Sequence, residues 1–316
     1  MPYLVTTISV FCAGTILAIS LRERSDRQVW HDLLTLAKPG IVAASALTGF
    51  VGMTVAAGGV PGTKDGLAVL TALILTAAGA ALLNGILDAP LDVRMQRLNK
   101  RVSALNRVGK PLVALVAGLS ATSGLLVAVC LLPGKAALLL AAAFFWYVAF
   151  YTIREKRRTP WAPVTGGVAG ALPVLIGAAA GPGTIGAGPA ILFVVMLLWQ
   201  PPHFWALALA KQDDYRAAGI PTLPECHGAT FCRRMSLVFC VLLLPASLLL
   251  SVVAVCSAWY ALAALLLGVS HLLSLWRHLG CGDFRRAFIA SLRYILLLFG
   301  AIVLDLAVIR PFCTPR

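Results

Sequence analysis

The chain has 316 residues, 60% hydrophobic and 12% charged, with a net charge of +14 and a mean hydropathy of +0.90. A soluble domain carries about twice that charged fraction, so an ordinary soluble globule is excluded, and recurring apolar runs of spanning length predict an all-α, polytopic membrane protein. The positive charge suits a nucleic-acid binder in amount but not in placement: 22 of the 26 Lys and Arg fall in clusters at 22–38, 94–110, 154–158, 211–234 and 277–293, the alternation expected when those clusters face the cytoplasm.

Residues 1–23 form an apolar N-terminal extension. An extra spanning helix, a signal-like anchor and an upstream start codon all fit it, although it lacks the positive region that opens a signal peptide. Residues 24–40 mix Trp30, Leu33, Leu34 and Leu36 with charges, as an interfacial amphipathic helix leading into Pro39 does. The transmembrane domain is placed at 41–310. Its nine apolar spans are read at 41–60, 67–88, 111–132, 136–153, 163–182, 187–210, 235–255, 257–276 and 289–309. Short connectors such as Pro61-Gly62 and Pro133-Gly134 then fall on the outer side. Eight cysteines show no CxxC spacing and read as small buried hydrophobes rather than a zinc site or disulfide framework.

Residues 84–101, NGILDAPLDVRMQRLNKR, close the second span. Carboxylates that follow so long an uncharged run are costly and are usually functional. Asn84, Asp88 and Asp92 are spaced so that one helix face can carry all three. Arg94, Arg97, Lys100 and Arg101 come next. Acids, amide and cations together suit Mg²⁺ carrying a diphosphate, since hard oxygens take the metal and cations the other phosphate oxygens. The competing reading is a helix end with a solvated loop, and Pro90 is expected to end the helix early.

At 151–173, YTIREKRRTPWAPVTGGVAGALP brings Tyr151, Lys156 and Arg157 toward the same anion, or supplies only a topology signal. Its small residues allow close helix approach. At 199–224, WQPPHFWALALAKQDDYRAAGIPTLP sets His203 in a half-helix broken by Pro201 and Pro202, with Lys211, Asp213, Asp214 and Tyr215 at its end. The acidic loops at 88–101 and 211–216 lie on one side and are expected to face each other across a central cavity. In DFRRAFIASLRYILLLF, residues 283–299, Arg293 either snorkels to the interface or reaches that cavity.

Together these blocks resemble the protoheme IX farnesyltransferase family, a branch of the UbiA-type intramembrane prenyltransferases, over residues 30–305. The 199–224 block carries most of the resemblance. Lys38-Pro39-Gly40, Pro90, Arg101-Val102-Ser103 and Ala162 depart from the family's pattern. The resemblance implies a nine-helix bundle around a central cavity in a bacterial cytoplasmic (inner) membrane, with the active site toward the cytoplasm. It implies Mg²⁺-dependent transfer of a farnesyl group from farnesyl diphosphate to a vinyl group of heme B, with water capturing the resulting cation, to give heme O and pyrophosphate. Asp88 and Asp92 would hold the metal, with Asn84 on metal or diphosphate and Asp213 or Asp214 on a second ion. Arg94, Arg97, Arg101, Tyr151, Lys156, Arg157, Lys211 and Tyr215 would bind substrate. His203 would lie near the heme as iron ligand or proton acceptor. Partners would be the lipid bilayer and a heme A synthase or the terminal oxidase assembly machinery, not nucleic acid. A different aromatic acceptor, or a transporter using the acids as an ion path, are the other readings.

Overall fold

The computed structural model describes residues 26–181 and 185–309. The reading of residues 1–23 as an added apolar segment lies outside them. All regular structure among the described residues is helical, and nine of the helical segments are long and apolar enough to cross a membrane. The chain is a multi-pass membrane protein.

Helix α1, Asp26–Ala37, precedes the first span. The spans are α2 (Pro39–Ala57), α3 (Thr63–Asp92), α5 (Lys110–Leu131), α6 (Gly134–Phe145, prolonged to Arg157), α8 (Gly167–Ala180, preceded by the short α7, Ala162–Thr165), α9 (Ala187–Ala210), α11 (Leu223–Val252), α12 (Ala258–Gly280) and α13 (Phe284–Leu304, prolonged to Ile309). Two further helices lie in the loops: α4, Asn99–Val108, and α10, Gln212–Ala217. Because spans alternate in direction, the connections at 93–109, 158–161, 211–222 and 281–283 gather at one end of the bundle, together with α1.

Small residues let the backbones touch. A Cβ built on Gly177 of α8 would stand 1.9 Å from the Gly49 carbonyl of α2, and one on Gly79 of α3 would meet the Ala117 carbonyl of α5 at 2.7 Å. Inside a membrane, helix association rests on such packing, because lipid tails are as apolar as the helix faces themselves. The two largest apolar clusters lie in the bundle. One joins α2, α8, α9 and α11–α13 around Leu192, Leu250 and Leu298; the other joins α2, α3, α5, α6 and α8 around Leu73 and Ile176.

Three local departures from regular helix shape the site. Lys38, between α1 and α2, has φ 55°, a left-handed conformation unusual for a residue with a Cβ. The following Pro39 already disfavours the right-handed helical region there, and the turn aims the Lys38 side chain at the bundle interior. Trp146–Arg154 winds as a π-helix, and the Thr152 hydroxyl donates to the Tyr147 carbonyl at 2.9 Å. Such wide turns re-aim side chains and are frequent at functional sites. Finally, α3 does not stop at Pro90. It runs through to Asp92, as a proline near a helix end removes a single ladder hydrogen bond. Likewise α9 continues through Pro201 and Pro202 rather than dividing into half-helices.

Candidate active site

A cavity of about 360 Å³ opens among α2, α3, α6, α8 and α9. Its deeper walls are apolar, formed by residues such as Leu73, Ala80, Leu140, Phe144, Ile176 and Phe204. Its other end is charged. There Lys38, Asn84, Asp92, Arg97, Arg101 and Lys156 line it, with Tyr147, Tyr151 and Tyr215 beside them.

The acids of α3 are buried, Asp88 at 1% exposure and Asp92 at 2%. Lys156 Nζ donates to Asp88 Oδ2 at 2.6 Å, and Arg157 stands 3.6 Å from Asp88 Oδ1. Arg157 also donates to the Leu87 carbonyl at 2.7 Å, beside the proline turn. Asn84 Nδ2 is shared between Asp88 Oδ2 (2.8 Å) and the Thr152 hydroxyl (3.0 Å), while Asn84 Oδ1 accepts from Lys38 Nζ. Asp92 receives Arg101 at 3.0 Å. The one-face spacing of Asn84, Asp88 and Asp92 is thus used: all three are buried in α3 among four cations drawn from three separate segments.

The second acidic loop meets the first. The Gln96 amide donates to Asp214 Oδ1 at 2.9 Å, Arg97 pairs with Asp214 at 3.4 Å, and Arg97 Nη2 donates to the Tyr215 hydroxyl at 3.3 Å. The Arg97 guanidinium also lies over the Tyr215 ring. Burial pushes the Tyr215 phenol up, so it stays a neutral hydroxyl. Lys38 stands out electrostatically. Burial, together with repulsion from Arg101 and Lys156, pulls its ammonium down to about 7.

Several residues expected at the site lie elsewhere. Adjacent helical residues point about 100° apart, and the Asp213–Asp214 pair divides accordingly: Asp213 is fully exposed and near Arg216 at 3.7 Å, so only Asp214 faces the first loop. Arg94 and Lys211 are exposed and neither lines the cavity; Arg293, read as snorkelling or reaching the cavity, is exposed and off it. His203 does not line this cavity. The face of α9 that lines the cavity carries Gln200, Phe204, Leu207 and Ala208. His203 turns instead toward α13. Its Nδ1 is 2.7 Å from the Ser291 hydroxyl, and its ring is stacked between Trp199 and Phe288 at 4.7 and 4.3 Å. Trp199 Nε1 donates to the Ser291 carbonyl at 2.8 Å, completing a clamp between the helices. The sequence reading in turn passed over Lys38, Tyr147, Thr152 and Gln200. Lys38 carried a signal, a lone Lys-Pro step after an amphipathic helix. Thr152 carried none, because a π-helix sets its direction.

These residues offer a divalent cation a particular kind of site. No three His, Cys, Asp or Glu side chains among the described residues close into a metal cage. Asp88 Oδ1 is buried without a hydrogen-bond partner, and an unsatisfied buried oxygen of this sort is unfavourable unless something binds it. Mg²⁺ typically takes one or two carboxylates and completes its shell with waters and substrate phosphates. The donor set therefore fits Mg²⁺ arriving with a phosphorylated substrate.

The family model of the UbiA prenyltransferase family matches residues 45–305. This chain belongs to the UbiA prenyltransferase family. The protoheme IX farnesyltransferase of Geotalea uraniireducens strain Rf4 is 49% identical over 255 residues, covering 80% of this chain and 98% of the relative. That of Marinobacter nauticus is 36% identical over 286 residues, covering 89% and 94%. Among solved structures, the apo UbiA homolog from Aeropyrum pernix K1 superposes with a TM-score of 0.70 at 17% identity, over 84% of this chain and 97% of that one. A UbiA homolog from Archaeoglobus fulgidus, solved with GPP and Mg²⁺, gives 0.64 at 15% identity, over 86% and 99%. The two superpositions establish a shared UbiA fold. With its family and its curated relatives, the chain is a membrane-embedded prenyltransferase.

Proposed function

We propose that this UbiA-family enzyme transfers a farnesyl group from farnesyl diphosphate to a vinyl group of heme B, giving heme O and pyrophosphate. The observation that carries the reading is the charged ring of Asp88, Asp92 and Asp214, interleaved with Lys38, Arg97, Arg101 and Lys156, at the mouth of an apolar cavity. The close relatives named for this reaction supply the acceptor.

Asp88 and Asp92 would hold Mg²⁺, with Asp214 on a second ion. When bound, Mg²⁺ supplies positive charge at the leaving diphosphate. The chain's own cations do the rest. Each is engaged with an acid or amide, so an arriving diphosphate exchanges these partners rather than meeting bare charge. Ionisation of the allylic C–O bond concentrates negative charge on the leaving oxygens. Lys38, Arg101 and Lys156 are already placed there, so they stabilise that state more than the bound substrate. The apolar wall holds the farnesyl chain and keeps bulk water from the allylic cation. Tyr147 and Tyr151 line the cavity with their rings stacked on one another, and aromatic rings so placed would favour a nearby cation. His203 is assigned to clamping α9 on α13, through Ser291 and Phe288, rather than to iron or proton transfer. The charged end faces the cytoplasm of a bacterial inner membrane, as the cation distribution directs.

The test is reconstitution of the purified full chain in lipid nanodiscs with heme B, farnesyl diphosphate and Mg²⁺. Mass spectrometry should find heme O, pyrophosphate should appear in equal amount, and EDTA should stop both. Farnesyl diphosphate consumed with another aromatic acceptor, and none with heme, would replace heme as the acceptor. No pyrophosphate under any acceptor would overturn the prenyl-transfer reading.

A further inference from the structure

Gln200 is the one amide side chain of α9 that lines the cavity, and it is only 6% exposed. Its Nε2 donates twice, to the Gly167 carbonyl of α8 at 2.8 Å and to the Met196 carbonyl one turn back at 3.1 Å. Those bonds fix which end of the amide is which, because the reverse orientation would set Oε1 against two carbonyl oxygens. Oε1 therefore points away from both, with no protein donor on it. It lies beside Gly170, where a Cβ would stand 2.3 Å from it. The glycine leaves that oxygen its space. The place is also defined along the cavity. Gly167 follows Gly166, which packs on the Tyr151 ring, and Tyr151 adjoins Thr152 and the Asn84–Asp88 pair. Gln200 thus sits just inside the charged mouth, where the apolar wall begins. The hydroxyls of Thr76 and Thr222, also on cavity residues, are sealed from it.

We infer that Gln200 Oε1 holds the water that ends the reaction, a role that rests on the heme-farnesylation reading above. The vinyl π-electrons form the new C–C bond to farnesyl C1 and leave a cation on the ring-attached carbon. Water then forms the C–O bond with a lone pair, an O–H bond breaks, and the proton passes to the departed pyrophosphate. In an apolar cavity a water has to be held by a polar group to be present at all. A water donating one hydrogen to Oε1 is both retained and oriented, with its lone pair free for the cation. Without it, the cation loses a proton from the adjacent carbon and gives an alkene lighter by one water. Gln200 acts on the water and on the product ratio, so it is a positioning residue and not a group that touches the ionising bond.

The experiment measures product partition by mass spectrometry for the wild-type chain, Gln200→Met and Gly170→Ala, each in nanodiscs with heme B, farnesyl diphosphate and Mg²⁺. Met keeps the length and removes the acceptor. Ala at 170 keeps the glutamine and displaces Oε1, the movable end of a flexible side chain, so it reports even where Gln200→Met fails to fold. The ratio of alkene to hydroxylated product should rise about tenfold in each folded variant, the scale of losing one oriented hydrogen bond. An unchanged ratio in a folded variant overturns the assignment of Gln200, with heme farnesylation still standing. A wild-type chain that prenylates no heme overturns the reading beneath it.

Discussion

The charges at the cavity mouth are arranged in pairs, and each pair makes a separate demand. Asp88 Oδ2 accepts from Lys156, while its Oδ1 faces Arg157 at 3.6 Å with no hydrogen bond. Asp88→Asn retains shape and the contact with Asn84 but removes the anion a hard cation needs. Turnover should fall about a hundredfold or more, equal to ~2.7 kcal/mol of lost transition-state stabilisation, with the folded peak in size-exclusion chromatography unchanged. Asp92→Asn should behave alike, and near-normal turnover in either would reduce the motif to a helix end. Lys38 poses a different question, because its backbone is strained and its side chain is in the site. Lys38→Met and Lys38→Gly should both weaken farnesyl diphosphate binding, by about tenfold if one charge-assisted contact is lost. Only glycine also relieves the left-handed φ, a saving of about 1 kcal/mol. Lys38→Gly should therefore melt above Lys38→Met, while calorimetry shows similar affinities. Equal melting temperatures would mean the turn is not strained. At this scale the sequence was readable where helical spacing set direction, as for Asn84, Asp88 and Asp92. It did not set the directions of His203 and Asp213, where one residue's step around a helix separates cavity from neighbour.

The elements were legible from apolar runs, and their ends were not. The runs marked all nine spans, but α3 and α6 extend beyond them into charged residues that build the site. A helix end follows hydrogen bonding and capping rather than hydropathy alone. Helix α4, hidden in the basic loop, was missed for the same reason. Its partner is α1. Val29, Leu33 and Leu36 pack with Ala104, Leu105 and Val108, and Asp32, 1% exposed, takes both Arg107 nitrogens at 2.7 and 2.8 Å. The Arg107 hydrogen bonds hold the Asp32 carboxyl below the usual carboxylate range. With the folded-state pKa depressed, the pair contributes stability above about pH 4, the ordinary value for Asp, and loses it as pH falls through the folded value. Asp32→Asn should therefore speed hydrogen exchange in α1 several-fold at pH 7, and the difference should shrink as the pH is lowered through the folded-state value. A variant effect that persists at low pH would mean the carboxylate charge is not what docks the helix. Since α1 leads directly into Lys38, the same variant should also weaken farnesyl diphosphate binding at neutral pH.

Across the whole molecule, function depends on gathering every charged loop at one end. Four connections and α1 meet there, whereas the opposite connections at 58–62, 132–133 and 253–257 carry no Lys or Arg. An antiparallel bundle with an odd number of spans has this consequence when cations mark alternate loops, and the two acidic loops can then join through Asp214, Gln96 and Arg97. On the orientation proposed above from the positive-inside bias, that end would face the cytoplasm, where a water-soluble diphosphate head would reach the cavity. Single cysteines introduced at Gln96, Lys100 and Gln212 in a cysteine-free background should react with a membrane-impermeant maleimide only after the cytoplasmic face is opened. A cysteine at Gly62 should react in intact cells. All of these side chains belong to short loops or loop helices, so the label reads topology rather than burial. Labelling at Lys100 in intact cells would invert the molecule, and would require the diphosphate to arrive from the other side of the membrane.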